Sequence, residues 1–471
     1  MSDDEILELS AAGLARALAA RKVKAEQAMR AVLERAQAAQ RRLNCVIRLD
    51  AEQALAAAHL ADLELGRGQR RGPLHGVPMA HKDMYYRAGV ASSCGSRIMG
   101  SRLPAETATA LSRLDAAGAL QFGVLNMAEF AYGPTGHNYH FGHCRNPWDP
   151  ERITGGSSSG SGAAVGARAT YAALGSDTGG SIRMPATFCG VAGLKPTFAR
   201  VSRAGAMPLS FSMDTVGPLA RTVEDCALIL ELIAGEDPAD PTASDRPVPK
   251  YASLLDKPVQ GLRIATSKRY FYDDIDPELA AVLQASLEQF ARMGAKIVEV
   301  DLPEAEAWNA GCALVIACEA AAYHAPWLRT RPKDYSEQVH ARLQQGLAIP
   351  APSYIDALRL RAQALRVFCG KVFSKADVFH APVVLFQTPT IAESDVGGGA
   401  AMAATLAKAT RLTRPGNYLG VPALSVPAGF TREGMPVGMQ LLGRPFDEAT
   451  ILAAGHAYQQ ATEWHRKAPP R

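Results

Sequence analysis

Apolar residues Ile6, Leu7, Leu14 and Leu18 recur at helical spacing through residues 5–20, and the pattern predicts an amphipathic helix. The Ala/Leu/Glu-rich stretches 25–40 and 50–65 read the same way, so residues 1–70 form a helical segment packed on the rest. The pattern changes at 74–83. Leu74-His75-Gly76-Val77-Pro78-Met79-Ala80-His81-Lys82-Asp83 is short, apolar and bounded by Gly and Pro, as a strand running into a loop would be. A helix over 105–119 and a strand over 120–125 follow. The small side chains of 163–174 predict a helix packed tightly against its neighbour. Residues 221–235 predict a helix that starts on Thr222, with Asp225 three residues on as a cap partner. Residues 236–250 are polar and proline-rich, a surface loop or subdomain boundary. Beyond it the pattern predicts strands at 262–265 and 296–300 around a helix at 277–293. A mainly helical stretch covers 304–375, strands fall at 381–386, 423–427 and 437–442, and a last helix spans 448–463. Helix–strand alternation of this kind predicts an α/β fold. The expected division is the helical segment 1–70 and a main domain 71–471, with 236–375 as a candidate small subdomain.

Composition changes this picture little. The 471 residues are 48% hydrophobic and 20% charged, enough to bury a large core. A net charge of +4 over such a length gives no mandate for nucleic acid or an anionic membrane. No run of 18 apolar residues occurs, and the acidic start Met1-Ser2-Asp3-Asp4 does not resemble a signal peptide. The eight cysteines form no CxxC pair, which fits buried thiols in a reducing compartment and predicts a cytoplasmic protein.

The glycines concentrate where chemistry is readable. In Asp177-Thr178-Gly179-Gly180-Ser181 a hydroxyl follows two glycines, which let backbone N–H groups converge on one point. A nucleophile beside such donors suits acyl transfer, although a tight turn capped by Ser181 is the alternative. Gly156-Ser157-Ser158-Ser159-Gly160 also matches the GxSxG elbow on Ser158, but the residues before it make a poor strand and later histidines are sparse. It lacks the Lys-Ser/Thr of a phosphate loop. Lys82 could act as a base only if burial made it neutral; otherwise it is a surface lysine paired with Asp83. His137, His140, His143 and Cys144 are dense enough for zinc, but no compact carboxylate–His signature accompanies them, and a structural or pocket-lining loop is expected, with no metal.

Taken together, these stretches resemble the amidase signature family. The matching text is GVPMAHKDM (76–84), NMAEFAYG (126–133), RNPWDPERITGGSSSGSGAAVGA (145–167), GSDTGGSIRMPATFCGVAGLKPT (175–197), SMDTVGPLARTVEDCA (212–227) and PGNYLGVPALSVPAG (415–429). The resemblance covers nearly the whole chain. It implies a single α/β/α domain around a large mixed β-sheet and a Ser-Ser-Lys triad without metal or organic cofactor. Ser181 is the implied nucleophile, Ser157 the bridging serine, often preceded by a cis peptide bond, and Lys82 the base. The N–H groups of Thr178, Gly179, Gly180 and Ser181 are the implied oxyanion hole, with Asp177, Arg183 and Ser158 in support.

The family spans simple amide hydrolases, glutaminase subunits of tRNA-dependent amidotransferases, urea-derivative or carbamate hydrolases and fatty amide hydrolases. The glutaminase subunit holds glutamine with an Arg and an Asp. Arg342 aligns with that Arg, but the Asp position, five residues before Pro415, is Thr410, and the Asp of the usual NMDEF text is Ala128. These departures favour a small-molecule amidase, and the glutaminase subunit is the alternative. The expected pocket includes Met127, Tyr132, His137 and Arg342, with Trp308, Tyr323 and Trp327 available for a bulky acyl group. The expected partner is a small-molecule amide met by a homodimer or monomer, with no membrane and no direct nucleic acid. A metal-dependent amidohydrolase or a non-catalytic binding protein are the rivals from other classes.

Overall fold

The computed structural model describes residues 1–100 and 102–470. Eleven strands make one mixed sheet: β1 Val46–Leu49, β2 Pro78–Lys82, β3 Leu120–Leu125, β4 Ala172–Asp177, β5 Ala192–Lys195, β6 Thr215–Ala220, β7 Arg263–Thr266, β8 Lys296–Glu299, β9 Val378–Pro382, β10 Ala423–Phe430 and β11 Pro436–Leu442. Their order across the sheet is β1-β3-β2-β4-β6-β5-β10-β11-β9-β7-β8. β2 runs parallel to both β3 and β4, the β4-to-β11 stretch is antiparallel, and β7 lies parallel to β8 and β9. Every residue of β2, β4, β6 and β11 is buried. Successive side chains of a strand point to opposite faces, so the central sheet is covered on both sides, the α/β/α layering the sequence predicts. β7 and β8, from the 236–375 stretch, belong to this same sheet.

The expected strand at 120–125 matches β3, and the tail strands match β10 and β11 within a few residues. Three differences have local causes. The predicted helix 5–20 is two helices, Asp3–Glu8 and Ala11–Ala19, because Ser10 accepts from Gly13 N–H at 2.9 Å and caps a new start. The predicted helix 163–174 is a helix over Ser159–Gly166 followed by β4. Small side chains suit a close-packed helix and a strand wedged between two others equally well, so periodicity could not divide them. Gly175 shows how tight the fit is: a Cβ there would lie 2.6 Å from Leu219 and 2.9 Å from Ser158 Oγ. Third, 236–250 has no helix or strand but is pinned. Asp237 accepts from Ser202 and Thr109 hydroxyls at 2.5 and 2.6 Å, and Asp240 accepts from Arg203 N–H at 2.8 Å.

The helix Val223–Ile233 starts as expected, with Thr222 Oγ1 accepting from Asp225 N–H. All eight cysteines are free thiols, six of them buried. Among the described residues no helix is long and apolar enough to cross a membrane.

Candidate active site

β2 and β4 are parallel neighbours, with Ala80 opposite Ala173 and His81 opposite Leu174. Their carboxyl ends therefore lie side by side, a common place for function in α/β sheets. Lys82 closes β2, and Ser176 and Asp177 close β4. The turn 154–158, which leads into the all-small helix Ser159–Gly166, brings Ser157 between them. Lys82 Nζ donates to Ser157 Oγ at 2.6 Å and to Ser176 Oγ at 2.9 Å. The Gly156–Ser157 peptide bond is cis.

Lys82 has no exposed surface. Burial pushes its ammonium down to about 7, with Asp214 and Asp177 pulling it partly back. Near neutral pH a large share of this lysine is the free amine, which can accept a proton. Asp83 does not pair with it: its carboxylate accepts from the Ser93 backbone N–H and hydroxyl.

Ser181 follows β4 in the turn that enters the helix Arg183–Cys189. It is 7% exposed, whereas Lys82 and Ser157 are 0%. Among the described residues no hydrogen bond joins its hydroxyl to Ser157. Ser158 links the two serine turns instead: its N–H donates to Ser181 O at 3.4 Å, and its hydroxyl meets Ser176 O and N at 3.3 Å.

Asp177 folds the glycine turn around itself. Its carboxylate accepts from Gly180 and Ile182 N–H, Asn417 Nδ2 and, twice, the Arg183 guanidinium at 3.0 Å. Burial works to raise its pKa, but Arg183 overrides it and holds the carboxyl well below the usual range. Of the four N–H groups expected to face an oxyanion, those of Thr178, Gly179, Gly180 and Ser181, that of Gly180 is given to Asp177. Gly180 has φ +125°, and a Cβ there would overlap Thr413 Oγ1 at 2.3 Å, so only glycine fits.

The structure also adds residues to which the sequence reading assigns no role. Ser176 is the second partner of Lys82. Asp214 accepts from Thr178 Oγ1 at 2.6 Å and stands near Lys82; burial raises its own carboxyl to about 6. Thr413 Oγ1 donates to Gly179 O at 2.5 Å, and Asn417 and Gln440 brace Arg183. A cleft of about 240 Å³ lined by Met84, Ser176, Met207, Phe211 and Asp214 opens beside this cluster.

The expected pocket residues divide. Tyr132 and Arg342 meet: the Arg342 guanidinium lies 3.4 Å from the Tyr132 ring centre and donates to its carbonyl at 2.7 Å. Met127 is wholly buried, its carbonyl accepting from Asn138. His137 turns to Ser394 at 3.1 Å and His143 to the adjacent Asp395 at 3.5 Å, their rings 4.5 Å apart, whereas His140 turns to Glu129 at 2.8 Å. Among the described residues no group of three or more His, Cys, Asp or Glu is placed to hold a metal. Trp308 is a core residue packed edge-on to Phe368, and Trp327 stacks on buried Phe130.

The Amidase family model matches residues 27–452. The A-type subunit of glutamyl-tRNA(Gln) amidotransferase from Moorella thermoacetica is 40% identical over 99% of this chain and 99% of its own length. A solved structure of the corresponding protein from Thermotoga maritima has a TM-score of 0.80 at 28% identity, covering 98% of this chain and 94% of that one. A chain from a vestigial protein complex, solved for the origins of an s-triazine catabolic enzyme, has a TM-score of 0.89 at 34% identity over 96% and 99%. These relatives overturn one expectation. The partner set of a small amide, a homodimer or monomer, and no nucleic acid does not stand beside relatives that are by name subunits of a tRNA amidotransferase.

Proposed function

The chain belongs to the amidase family, and from that premise we propose that it is the amide-hydrolysing subunit of an amidotransferase-type assembly, releasing ammonia from a carboxylate-bearing primary amide such as glutamine. The observation that carries this reading is the match to the glutamyl-tRNA(Gln) amidotransferase relative over nearly the full length of both chains. The hydrolysis of a C–N amide bond follows from the family; the donor, the partner subunits and the aminoacyl-tRNA acceptor are the proposal.

The proposed chemistry uses this chain's own groups. Neutral Lys82 takes the proton of Ser157 as Ser157 takes that of Ser181. Ser181 Oγ attacks the amide carbon, and the carbonyl oxygen becomes an oxyanion held by the N–H groups of Thr178, Gly179 and Ser181. One such donor contributes about 3 kcal/mol. The proton then returns along Lys82 and Ser157 to the amide nitrogen, the C–N bond breaks, and ammonia leaves. Water cleaves the acyl-enzyme along the same proton route, regenerating Ser181 and a carboxylate. The short 2.6 Å contact of Lys82 with Ser157 supports the first transfer.

The test is reconstitution with the remaining amidotransferase subunits, glutamine and glutamyl-tRNA, with Ser181→Ala as blank. Ammonia release and amidated tRNA are expected only with the wild-type chain. If the complete assembly leaves the tRNA unamidated while the chain alone hydrolyses amides at full rate, the subunit reading fails.

A further inference from the structure

The helix Ala305–Thr330 carries Cys312, Val315, Ile316 and Glu319 on one buried face, as three- and four-residue spacings require. The first part of that face meets the oxyanion turn. Cys312 Sγ lies 3.9 Å from Thr178 O, and Ile316 Cδ1 is 3.5 Å from where a Cβ on Gly179 would stand. Further along, Glu319 reaches a different segment, residues 209–214, which leads into β6. Its carboxylate accepts from Ser210 Oγ at 2.6 Å, Ser212 N–H at 3.0 Å and Ser212 Oγ at 2.6 Å. The Tyr354 hydroxyl donates to it at 2.9 Å from outside the segment. Glu319 is 2% exposed, and among the described residues no ion pair engages it; Arg361 stands near and donates to Ser212 O instead. A buried carboxylate is stable only while its donors stay in place, so Glu319 and the 209–214 segment fix each other. Ser210 passes the constraint on. Its N–H donates to Asp214 Oδ2 at 3.0 Å, and its carbonyl accepts from Asp214 N–H at 2.9 Å. Asp214 in turn accepts from Thr178 Oγ1 at 2.6 Å and faces Lys82. The other charged or titratable groups here are Asp177 and Cys94 beside Lys82, Arg203 and Tyr85 beside Asp214, and Cys318 beside Glu319.

We propose that Glu319 is a positioning residue for the reaction: by way of Ser210 it fixes Asp214, and Asp214 sets both the proton affinity of Lys82 and the place of the Thr178 donor. This role rests on the amide-hydrolase chemistry above and deepens it. Glu319 touches neither the nucleophile nor the base. It acts from the helical layer on a segment whose far end faces both, so the packing of that layer tunes the proton transfer made at the sheet.

The experiment measures ammonia release from glutamine and butyramide against pH in the wild type, Glu319→Gln, Ser210→Ala, Tyr354→Phe and Asp214→Asn. The Lys82 titration is followed alongside by NMR of labelled lysine ε-carbons, assigned with Lys82→Met. Glu319→Gln offers one acceptor oxygen to four donors. It should lower kcat about 10-fold with KM changed less than about twofold, a fraction of what a lost oxyanion donor costs. As Asp214 draws back, less negative charge holds the proton on Lys82. The kcat/KM limb and the Lys82 titration should therefore both move down by about 0.5–1 pH unit. Ser210→Ala keeps both carboxylates and should move the limb the same way, which the Glu319 charge acting directly on Lys82 would not do. Tyr354→Phe removes a donor from outside the segment and should leave the limb in place. In the Asp214→Asn background, Glu319→Gln should add no further shift. Where Glu319→Gln fails to fold, Ser210→Ala and Tyr354→Phe decide alone. The proposal is overturned if Ser210→Ala leaves the limb where the wild type has it, or if Glu319→Gln adds its full shift on top of Asp214→Asn. If the wild type cleaves neither amide while the Lys82 titration moves in Ser210→Ala and not in Tyr354→Phe, the positioning stands and the amide-hydrolase reading falls.

Discussion

Arg183, on the sheet side of the site, is fully buried, and oxygens surround its guanidinium: the Asp177 carboxylate twice, Gln440, Asn417 and the Thr413 carbonyl. Arg342 and Arg414, on the helical side, meet no carboxylate. The same side chain is structural in one place and open to choice in the other. A buried charge with every donor satisfied fixes a backbone, here the turn that carries Ser181. Arg342 has only the Tyr132 carbonyl and ring, and the Arg414 Nε has no hydrogen-bond partner, so neither fixes a turn through an ion pair.

Variants can break this contrast in order of expected size. Ser181→Ala and Lys82→Ala should each lower kcat by about 10⁴-fold or more, and the double variant should be little worse, since groups acting as one unit are not additive. Near-full turnover in either, in a continuous ammonia assay, would remove the proposed triad. Asp177→Ala strands the buried Arg183 guanidinium and should cost about 3–5 kcal/mol, read as a lower urea midpoint. Gly180→Ala should cost about 2–4 kcal/mol through its φ and its overlap with Thr413. Gly179→Ala should cost less than about 1 kcal/mol, because its nearest neighbours are at ordinary contact distances of 3.4 and 3.5 Å. Equal midpoints for the two glycine variants would contradict the geometry of the turn.

The pH profile sharpens the contrast further. Lys82 must lose its proton to act, so kcat/KM should rise with pH through about 7 and level above it. Asp214 raises the Lys82 pKa, so Asp214→Asn should move that limb to lower pH; a shift to higher pH would reverse the assigned sign. The smallest effect is on the helical side. Arg414→Met should leave the urea midpoint unchanged or slightly higher, because it removes a repulsion with Arg342 and breaks no pair.

Lys82, Ser157 and Ser181 are legible in the sequence because each sits in a short motif with glycines at the positions where backbone must approach. β3, β10 and β11 are legible from apolar runs bounded by turn residues. β4 is not, since Ala172-Ala173-Leu174-Gly175 suits helix and strand alike and only its two flanking strands decide. Ser176 and Asp214 lie inside the matched stretches 175–197 and 212–227, but a serine in a strand and an aspartate before a threonine do not by themselves announce their contacts with Lys82 and Thr178. What brings them to the candidate site is the approach of segments far apart in the chain. Met127 and His137, adjacent to the motif in sequence, are both buried, His137 against Ser394.

The contacts of Arg183 have a consequence for synthesis on the ribosome. Its bond to Gln440 spans 257 residues. Lys82, Ser157 and Ser181 all emerge long before their brace, and at about 5–20 residues per second the delay is on the order of 10–50 s. Through that interval the nascent chain carries the three side chains of the proposed triad without the asparagine and glutamine that lock the turn. The turn that carries Ser181 is thus locked only as the last strand pair is laid into the sheet.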